Sequence, residues 1–295
     1  MKKILFLISV LVMASCGAAR QSAVNEEPIS VRIGSYNLWI STIGKGDNAW
    51  ELRKSRLVQS IVEADMDIFG TQELDTRIQE ELPVLLEKAG CRYGWYIFSP
   101  YSPDGIGNKA QGIMYKKDKF ELLESHYWWI SETPDVMSSG WDETRFKRGA
   151  CCAIFKDKKS GKKFMIAHSH MPLGKEARKH GAEIINEYAK KHNPKNLPAF
   201  LLGDLNTRPT TPESDIFRTY WTDSFLTLPA EKRNGPAGTF NGAKPDKKIE
   251  DARRIDYVYY RGAGITPVSY TCKDTKYDGF YPSDHCAVYV DFLIK

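Results

Sequence analysis

The sequence predicts an α/β domain built from two packed, mixed but mostly antiparallel β-sheets with helices on the outside. Ten short apolar runs rich in β-branched and aromatic residues mark strands at 31–38, 66–71, 93–98, 111–116, 126–130, 149–156, 163–170, 198–203, 254–261 and 286–294. Short Gly/Lys/Asp turns join several of them, as in IFKDKKSGKKFMI, and such turns imply hairpins. Two segments carry apolar residues at helical spacing instead. They are 49–64, with Leu52, Leu57, Val58, Ile61 and Val62 on one face, and 174–191, with Ala177, Ile184, Ile185 and Tyr188.

Along the chain, the first element stands apart. Lys2 and Lys3 precede the apolar run ILFLISVLVMA, which is too short for a comfortable bilayer span. The run ends in Ala14-Ser15-Cys16-Gly17, which resembles the lipobox of bacterial lipoproteins, with Met13 where Leu is commonest and Cys16 as the residue to be lipidated. Residues 1–16 are therefore expected to be a leader ending at a lipid anchor, 17–29 a small, polar tether, and 30–295 one domain. That places the protein outside the cytoplasm on a bacterial membrane, in the periplasm or at the cell surface. The strand at 31–38 follows the tether, and the helix over 49–64 follows that strand. A helix over 76–89 is weakened by Pro83 unless the proline falls in its first turn. Strands dominate from 93 to 170, the helix over 174–191 interrupts them, and the strands at 198–203, 254–261 and 286–294 complete the domain.

Bulk properties remove several function classes. The net charge is +5, of which Lys2 and Lys3 contribute two. The cationic stretches KKDK near 116, KDKKSGKK near 160 and KPDKK near 245 alternate with turn residues. They read as solvated hairpin tips, not as a groove tracking phosphates. Beyond Cys16, the odd number and irregular spacing of Cys91, Cys151, Cys152, Cys272 and Cys286 fit neither a disulfide framework nor a zinc site. Cys151 and Cys152 should face opposite sides of one strand. There is no GxSxG elbow, P-loop or GxGxxG, so serine-hydrolase and nucleotide-cofactor chemistry lack support.

Polar residues at the ends of the apolar runs carry the chemistry. They are Asn37 in VRIGSYNLW, Glu73 in DIFGTQELD, His170 in KFMIAHSHM, Asp204 and Asn206 in PAFLLGDLN, Asp256 in RIDYVYY, and Asp284 with His285 in SDHCAVYVDF. A carboxylate or imidazole where a buried strand meets a loop is costly to desolvate without a partner or a metal. Glu73 and Asp284, with Asn37 as a neutral third ligand, suit Mg²⁺ or Mn²⁺. His170 and His285 can neutralise a phosphoryl oxygen or move a proton, and Asp256 can orient His285 through Nδ1. Asp204 is placed to accept a proton from water, and Asn206 to donate to a developing charge. Metal-assisted phosphoester hydrolysis is the natural reaction class. His126, His168, His180 and His192 read as structural or surface residues.

The same segments resemble the endonuclease/exonuclease/phosphatase superfamily, the fold of deoxyribonuclease I, neutral sphingomyelinases and the deadenylases. SYNLW is similar to its S-x-N motif, TQEL to Q-E, SHM to T-H-L, GDLNTRP to G-D-x-N-x-x-P, RIDYVYY to R-[IL]-D-Y and SDHCAV to S-D-H-x-[PA]-V, in that order from about residue 30 onward. WWISETPDV and GWDETR further resemble secreted or lipid-anchored bacterial members. The resemblance implies a deoxyribonuclease I-like four-layer sandwich with its site at one edge of the two sheets. It assigns the metal to Asn37, Glu73 and Asp284, the water to Asp204 and Asn206, the scissile phosphate to His170 and His285, and the support of His285 to Asp256. Trp39 stands where apurinic endonucleases carry an acid, which favours one ion over two.

The expected protein is a Mg²⁺- or Mn²⁺-dependent phosphodiesterase or phosphatase acting on a small phosphoester. The alternatives are a nuclease on external nucleic acid and a catalytically dead binding module, against which the intact motifs argue. Trp39, Trp50, Tyr101 and Trp141 are candidates for stacking on a sugar or base. No protein partner is evident, and a monomer is expected.

Overall fold

The computed structural model describes residues 27–102, 109–250 and 253–295. The expected leader with Cys16, and the tether as far as residue 26, lie outside the described residues. The end of the tether is already strand, because β1 spans Ile29–Asn37.

The remaining strands are β2 (Ile68–Leu74), β3 (Tyr93–Phe98), β4 (Ala110–Lys116), β5 (Phe120–Trp129), β6 (Gly149–Asp157), β7 (Lys163–His170), β8 (Ala199–Asp204), β9 (Thr222–Asp223), β10 (Arg233–Asn234), β11 (Asp256–Arg261), β12 (Ile265–Lys273) and β13 (Ala287–Ile294). The helices are α1 (Trp50–Ala64), α2 (Thr76–Lys88), α3 (Lys175–Lys191), α4 (Pro212–Arg218) and α5 (Ser224–Thr227). One sheet has seven strands in the order β10-β12-β13-β1-β2-β4-β3, and the other has six in the order β5-β6-β7-β8-β11-β9. Most pairs are antiparallel; β1–β2, β7–β8 and β10–β12 are parallel.

Alternation along each strand separates three apolar layers. Val31, Ile33, Phe200, Leu202, Val258, Val288 and Val290 fill the space between the sheets. On the outer face of the six-stranded sheet, Ala199 and Leu201 pack with Ala182, Ile185 and Tyr188 of α3. On the outer face of the seven-stranded sheet, Phe69 and Met114 pack with Leu57 and Ile61 of α1 and Ile78, Leu82 and Leu86 of α2. The expected helix–sheet–sheet–helix sandwich is therefore present. Cys151 lies between the sheets and Cys152 on the helix side, as adjacent strand residues must. The five cysteines of the described residues are free thiols.

The sequence reading missed β12, because Pro267 interrupts the run and only one side of the strand is buried. The structure absorbs that proline with a register shift between Pro267 and Ser269. Pro83 lies inside α2, not in its first turn. Burial of Ile78, Leu82 and Leu86, with Asp75 accepting from Ile78 N–H at the N-cap, outweighs a cost of roughly 3 kcal/mol. His168 is structural, as expected. Its buried imidazole lies between Thr71 O (3.0 Å) and Leu202 O (3.2 Å), one from each sheet. Burial holds its pKa down to about 4, so the neutral ring donates to only one of them. Residue 70 must be glycine to admit the ring: a Cβ there would approach His168 Nδ1 to 2.4 Å.

Candidate active site

Strand register brings the polar residues to one edge of the sandwich. Asn37 lies opposite Gln72 across β1 and β2, so it ends beside Glu73. On the other sheet both His170 and Asp256 pair with Asp204, which sets three polar residues abreast across β7, β8 and β11. Asp284 and His285 occupy the turn before β13. Glu73, His170, Asp204, Asn206, Asp284 and His285 line one cleft of about 530 Å³, and Asn37 and Asp256 lie fully buried behind it. The structure thus brings together all eight polar residues singled out at the strand ends.

Oxygen donors gather on the first sheet. Glu73 takes φ of 60° where β2 bulges between Thr71 and Leu74, which breaks the ladder and releases its carboxylate to the cleft. Its Oε2 accepts Ile40 N–H at 3.0 Å, and Asn37 Nδ2 approaches Oε1 at 3.4 Å. Asn37 Nδ2 also donates to Asp204 Oδ2 at 3.1 Å, while its Oδ1 accepts Trp39 N–H at 3.0 Å. Asn37 therefore ties the two halves of the site together. Ser283 Oγ donates to Asn37 O at 2.6 Å, and the Asn241 and Gly242 N–H groups both donate to Asp284 O at 2.9 Å. The sequence reading overlooked Arg53, whose buried guanidinium donates to Leu38 O (2.8 Å), Trp39 O, Ile40 O (3.3 Å) and Pro282 O (3.3 Å). It clamps the loop after β1 to the turn carrying Asp284.

Desolvation pushes the Asp284 carboxyl up to about 6; the charge of Glu73 pushes the same way, while His285 and Arg53 oppose it. Two carboxylates open to one cleft, with the Asn37 amide behind them, fit a hard divalent cation. Such an ion would supply a Lewis acid for a phosphoryl oxygen and an anchor for the substrate.

The second sheet carries a proton network. His285 Nδ1 lies 2.9 Å from Asp256 Oδ2, which also accepts Thr239 Oγ1–H at 2.5 Å. Burial opposes charge on His285, but Asp256 and Asp204 outweigh it and raise the imidazole well above its ordinary value. His285 Nε2 is 3.7 Å from Asp204 Oδ2, and Phe240 packs edge-on against the ring at 5.0 Å. His170 differs. Burial, then the nearby Arg148 and His285, lower its pKa well below the usual range, so its contact with Asp204 at 3.4 Å involves a neutral ring. Burial also raises the Asp204 carboxyl, which suits a proton acceptor near neutrality. Asn206 N–H donates to Asp204 Oδ1 (3.1 Å) and its Nδ2 to Met171 O (2.9 Å), leaving the second amide hydrogen for the cleft. Asp204, Asp256 and His285 are close enough to hold a metal by spacing alone. Asp256 Oδ2 is engaged by His285 and Thr239 and both Asp204 oxygens by Asn37 and Asn206, while Asp256 Oδ1 has no partner among the described residues.

Two expectations about the rim are corrected. Of the Lys-rich turns only 156–163 is a hairpin tip, between β6 and β7, whereas 116–119 joins strands of different sheets and 244–248 lies in the loop between β10 and β11. Single cations elsewhere in the sequence converge on the cleft: Lys109, Arg145, Arg148, Arg208 and Arg253 line it. Scattered in sequence, they left no run to detect. None of the proposed stacking aromatics lines it either. Trp50 is core at the start of α1, Trp39 covers Arg53, Trp141 stacks on His180, and Tyr101 lies beside Lys147. The aromatics that do line it are Phe146 and Phe240.

This geometry has relatives. The profile of the Endonuclease/Exonuclease/phosphatase family matches residues 34–285. A family member of known structure from Bacteroides thetaiotaomicron is 30% identical, with TM-score 0.79, covering 91% of this chain and 99% of that one. A mannosyl-6-phosphatase from Bacteroides thetaiotaomicron VPI-5482 is also 30% identical, with TM-score 0.76 over 89% of this chain and 99% of its own. Mouse nocturnin is 23% identical across 89% of this chain; the chain spans 65% of that relative's length. The chain belongs to the Endonuclease/Exonuclease/phosphatase family of phosphoester hydrolases.

Proposed function

We propose that the protein is a divalent-metal-dependent phosphoesterase acting on a small phosphoester, with sugar phosphates as the favoured class. The observation that carries this reading is the division of one cleft into a hard-oxygen set (Glu73, Asp284, Asn37) and a coupled acid–base set (Asp204, His285, Asp256, with neutral His170). Asp204 would accept the proton of the attacking water, and His285, held charged by Asp256, would stabilise the phosphoryl oxygens or protonate the leaving group. Asn206 and His170 would add hydrogen bonds to the transferring group. A cleft of about 530 Å³ suits a small ligand. The mannosyl-6-phosphatase among the 30%-identical structures supports the sugar-phosphate class. The leader-like segment MKKILFLISVLVMASC supports an extracytoplasmic protein tethered through Cys16.

The five cations of the cleft, continued through Arg253 into an adjoining pocket with Lys244, Lys247 and Lys248, favour a second reading, nucleic-acid cleavage. Orthophosphate release from mannose 6-phosphate, hydrolysis of bis-p-nitrophenyl phosphate and nicking of plasmid DNA, each with Mg²⁺ and with EDTA, separate the two. Mg²⁺-dependent turnover of the small esters exceeding DNA cleavage is expected. Efficient plasmid cutting that falls steeply between low and physiological salt would transfer the assignment to a nuclease.

A further inference from the structure

We propose that Lys109 and Arg145, backed by Arg148, form a second anion subsite, and that the substrate carries an anionic group in addition to the ester that is cleaved. The inference deepens the phosphoesterase reading and rests on it.

The three charges crowd one ring. Lys109 Nζ lies 3.8 Å from the Phe146 centroid, Arg145 Cζ 4.9 Å and Arg148 Cζ 5.2 Å. None of them has a carboxylate within 4.0 Å among the described residues. Arg148 is 9% exposed, its Nε has no hydrogen-bond partner, and it lines the cleft. A buried, unpaired guanidinium beside two more cations is costly unless an anion neutralises it. The repulsion is visible at Lys109, whose pKa is lowered by burial and then by Arg148 and Arg145.

The cluster is also held rigidly. Glu143 accepts N–H groups from Phe146 (3.2 Å) and Leu173 (2.7 Å), and Asp142 accepts from Glu176 (3.1 Å) and Ala177 (2.8 Å) at the start of α3. The segment GWDETRFKR is thereby clipped to the loop that follows His170.

Charge balance separates this subsite from the scissile phosphate. The site sets five cations against five carboxylates, Glu73, Asp204, Asp256, Asp284 and the Glu143 that acts on Arg148. A divalent ion and an imidazolium at His285 add more positive charge than one phosphomonoester dianion removes. Position agrees: Glu73 and Asp204 are the charges acting most on Arg148, whereas Lys109 feels Glu73 only after its two cationic neighbours. Arg148 thus answers to the carboxylates of the reacting centre, and Lys109 first to the other two cations.

Paired substrates test this: glucose 6-phosphate and glucose 1,6-bisphosphate, assayed with Mg²⁺ on wild type, Arg145→Gln and Lys109→Gln. Wild type should favour the bisphosphate at least tenfold in kcat/KM, mostly through KM, and each substitution should cut that ratio severalfold. A thermal-shift titration of both sugars in EDTA reads the subsite without turnover and should show the same preference, lost in Arg145→Gln. Equal kcat/KM and equal binding for the two sugars, with both hydrolysed, would overturn the second subsite while the phosphoesterase reading stands. Hydrolysis of neither sugar alongside efficient cleavage of an oligonucleotide would overturn both.

Discussion

Replacing Asp256 by Asn keeps the size of the side chain and removes one charge that never meets the substrate. In the native site Asp256 Oδ2 lies 2.9 Å from His285 Nδ1 and accepts Thr239 Oγ1–H, in complete burial. The gross attraction between imidazolium and carboxylate at that distance is roughly 6 kcal/mol at an effective dielectric near 20. Most of it is not lost, because Asp204 remains 3.7 Å from the other ring nitrogen. The net loss should match one charge-assisted hydrogen bond, about 1.5–3 kcal/mol. At about 1.4 kcal/mol per decade that is roughly 10- to 150-fold in kcat, rising toward about 10⁴ if the asparagine also inverts the tautomer of His285. The assay is kcat against pH on a chromogenic phosphoester with saturating Mg²⁺. Because Asp256 helps to raise the His285 pKa, the alkaline limb of the profile should move to lower pH in the variant. A loss below about threefold in a variant with native circular dichroism, or an unmoved alkaline limb, would refute the coupling.

Other expectations follow from the same geometry. Glu73→Gln preserves shape but removes a ligand charge, so the Mg²⁺ concentration for half-maximal activity should rise at least about tenfold; a titration unchanged from wild type would exclude Glu73 as a ligand. The Asp284 carboxyl is pushed up to about 6. The folded state therefore holds the extra proton between about pH 4 and 6, and the metal-free protein should lose stability as pH rises through that window. Divalent ions bind the ionised form, so Mn²⁺ should raise the melting temperature more at pH 7.5 than at pH 5, and an equal shift at both would contradict this. Arg254 pairs with Asp223 at 2.8 and 3.1 Å with both side chains buried. Asp223→Ala should cost about 3–5 kcal/mol in urea unfolding by stranding the guanidinium, and a cost below 1 kcal/mol would show that it finds another partner. Cys16→Ser should release the mature domain from membranes or block processing of the leader, and unchanged membrane fractionation would count against lipidation.

The site was legible where chemistry and local pattern coincide. Asn37, Glu73 and Asp204 each terminate or follow a strand-like run and His285 immediately precedes one, which places all four at strand ends. What stayed hidden depends on three-dimensional convergence. Arg53 sits within the helical segment 49–64 and reads as a surface charge, yet it reaches four backbone carbonyls. Thr239, which holds Asp256, lies in a stretch without periodicity. The cations of the cleft come from distant segments, so a search for basic runs found the Lys-rich turns instead. In the fold, β12 was lost because Pro267 and one-sided burial erase the apolar signal, and α2 survives Pro83 through packing that no local propensity encodes.

The division of labour within the cleft is the central claim, and a crystal soaked in Mn²⁺ tests it most directly through anomalous scattering. The account predicts a peak ligated by the Glu73 and Asp284 carboxylates beside Asn37, with Asp204, Asp256 and His285 left to one another. A peak enclosed by Asp204, Asp256 and His285 instead would contradict it.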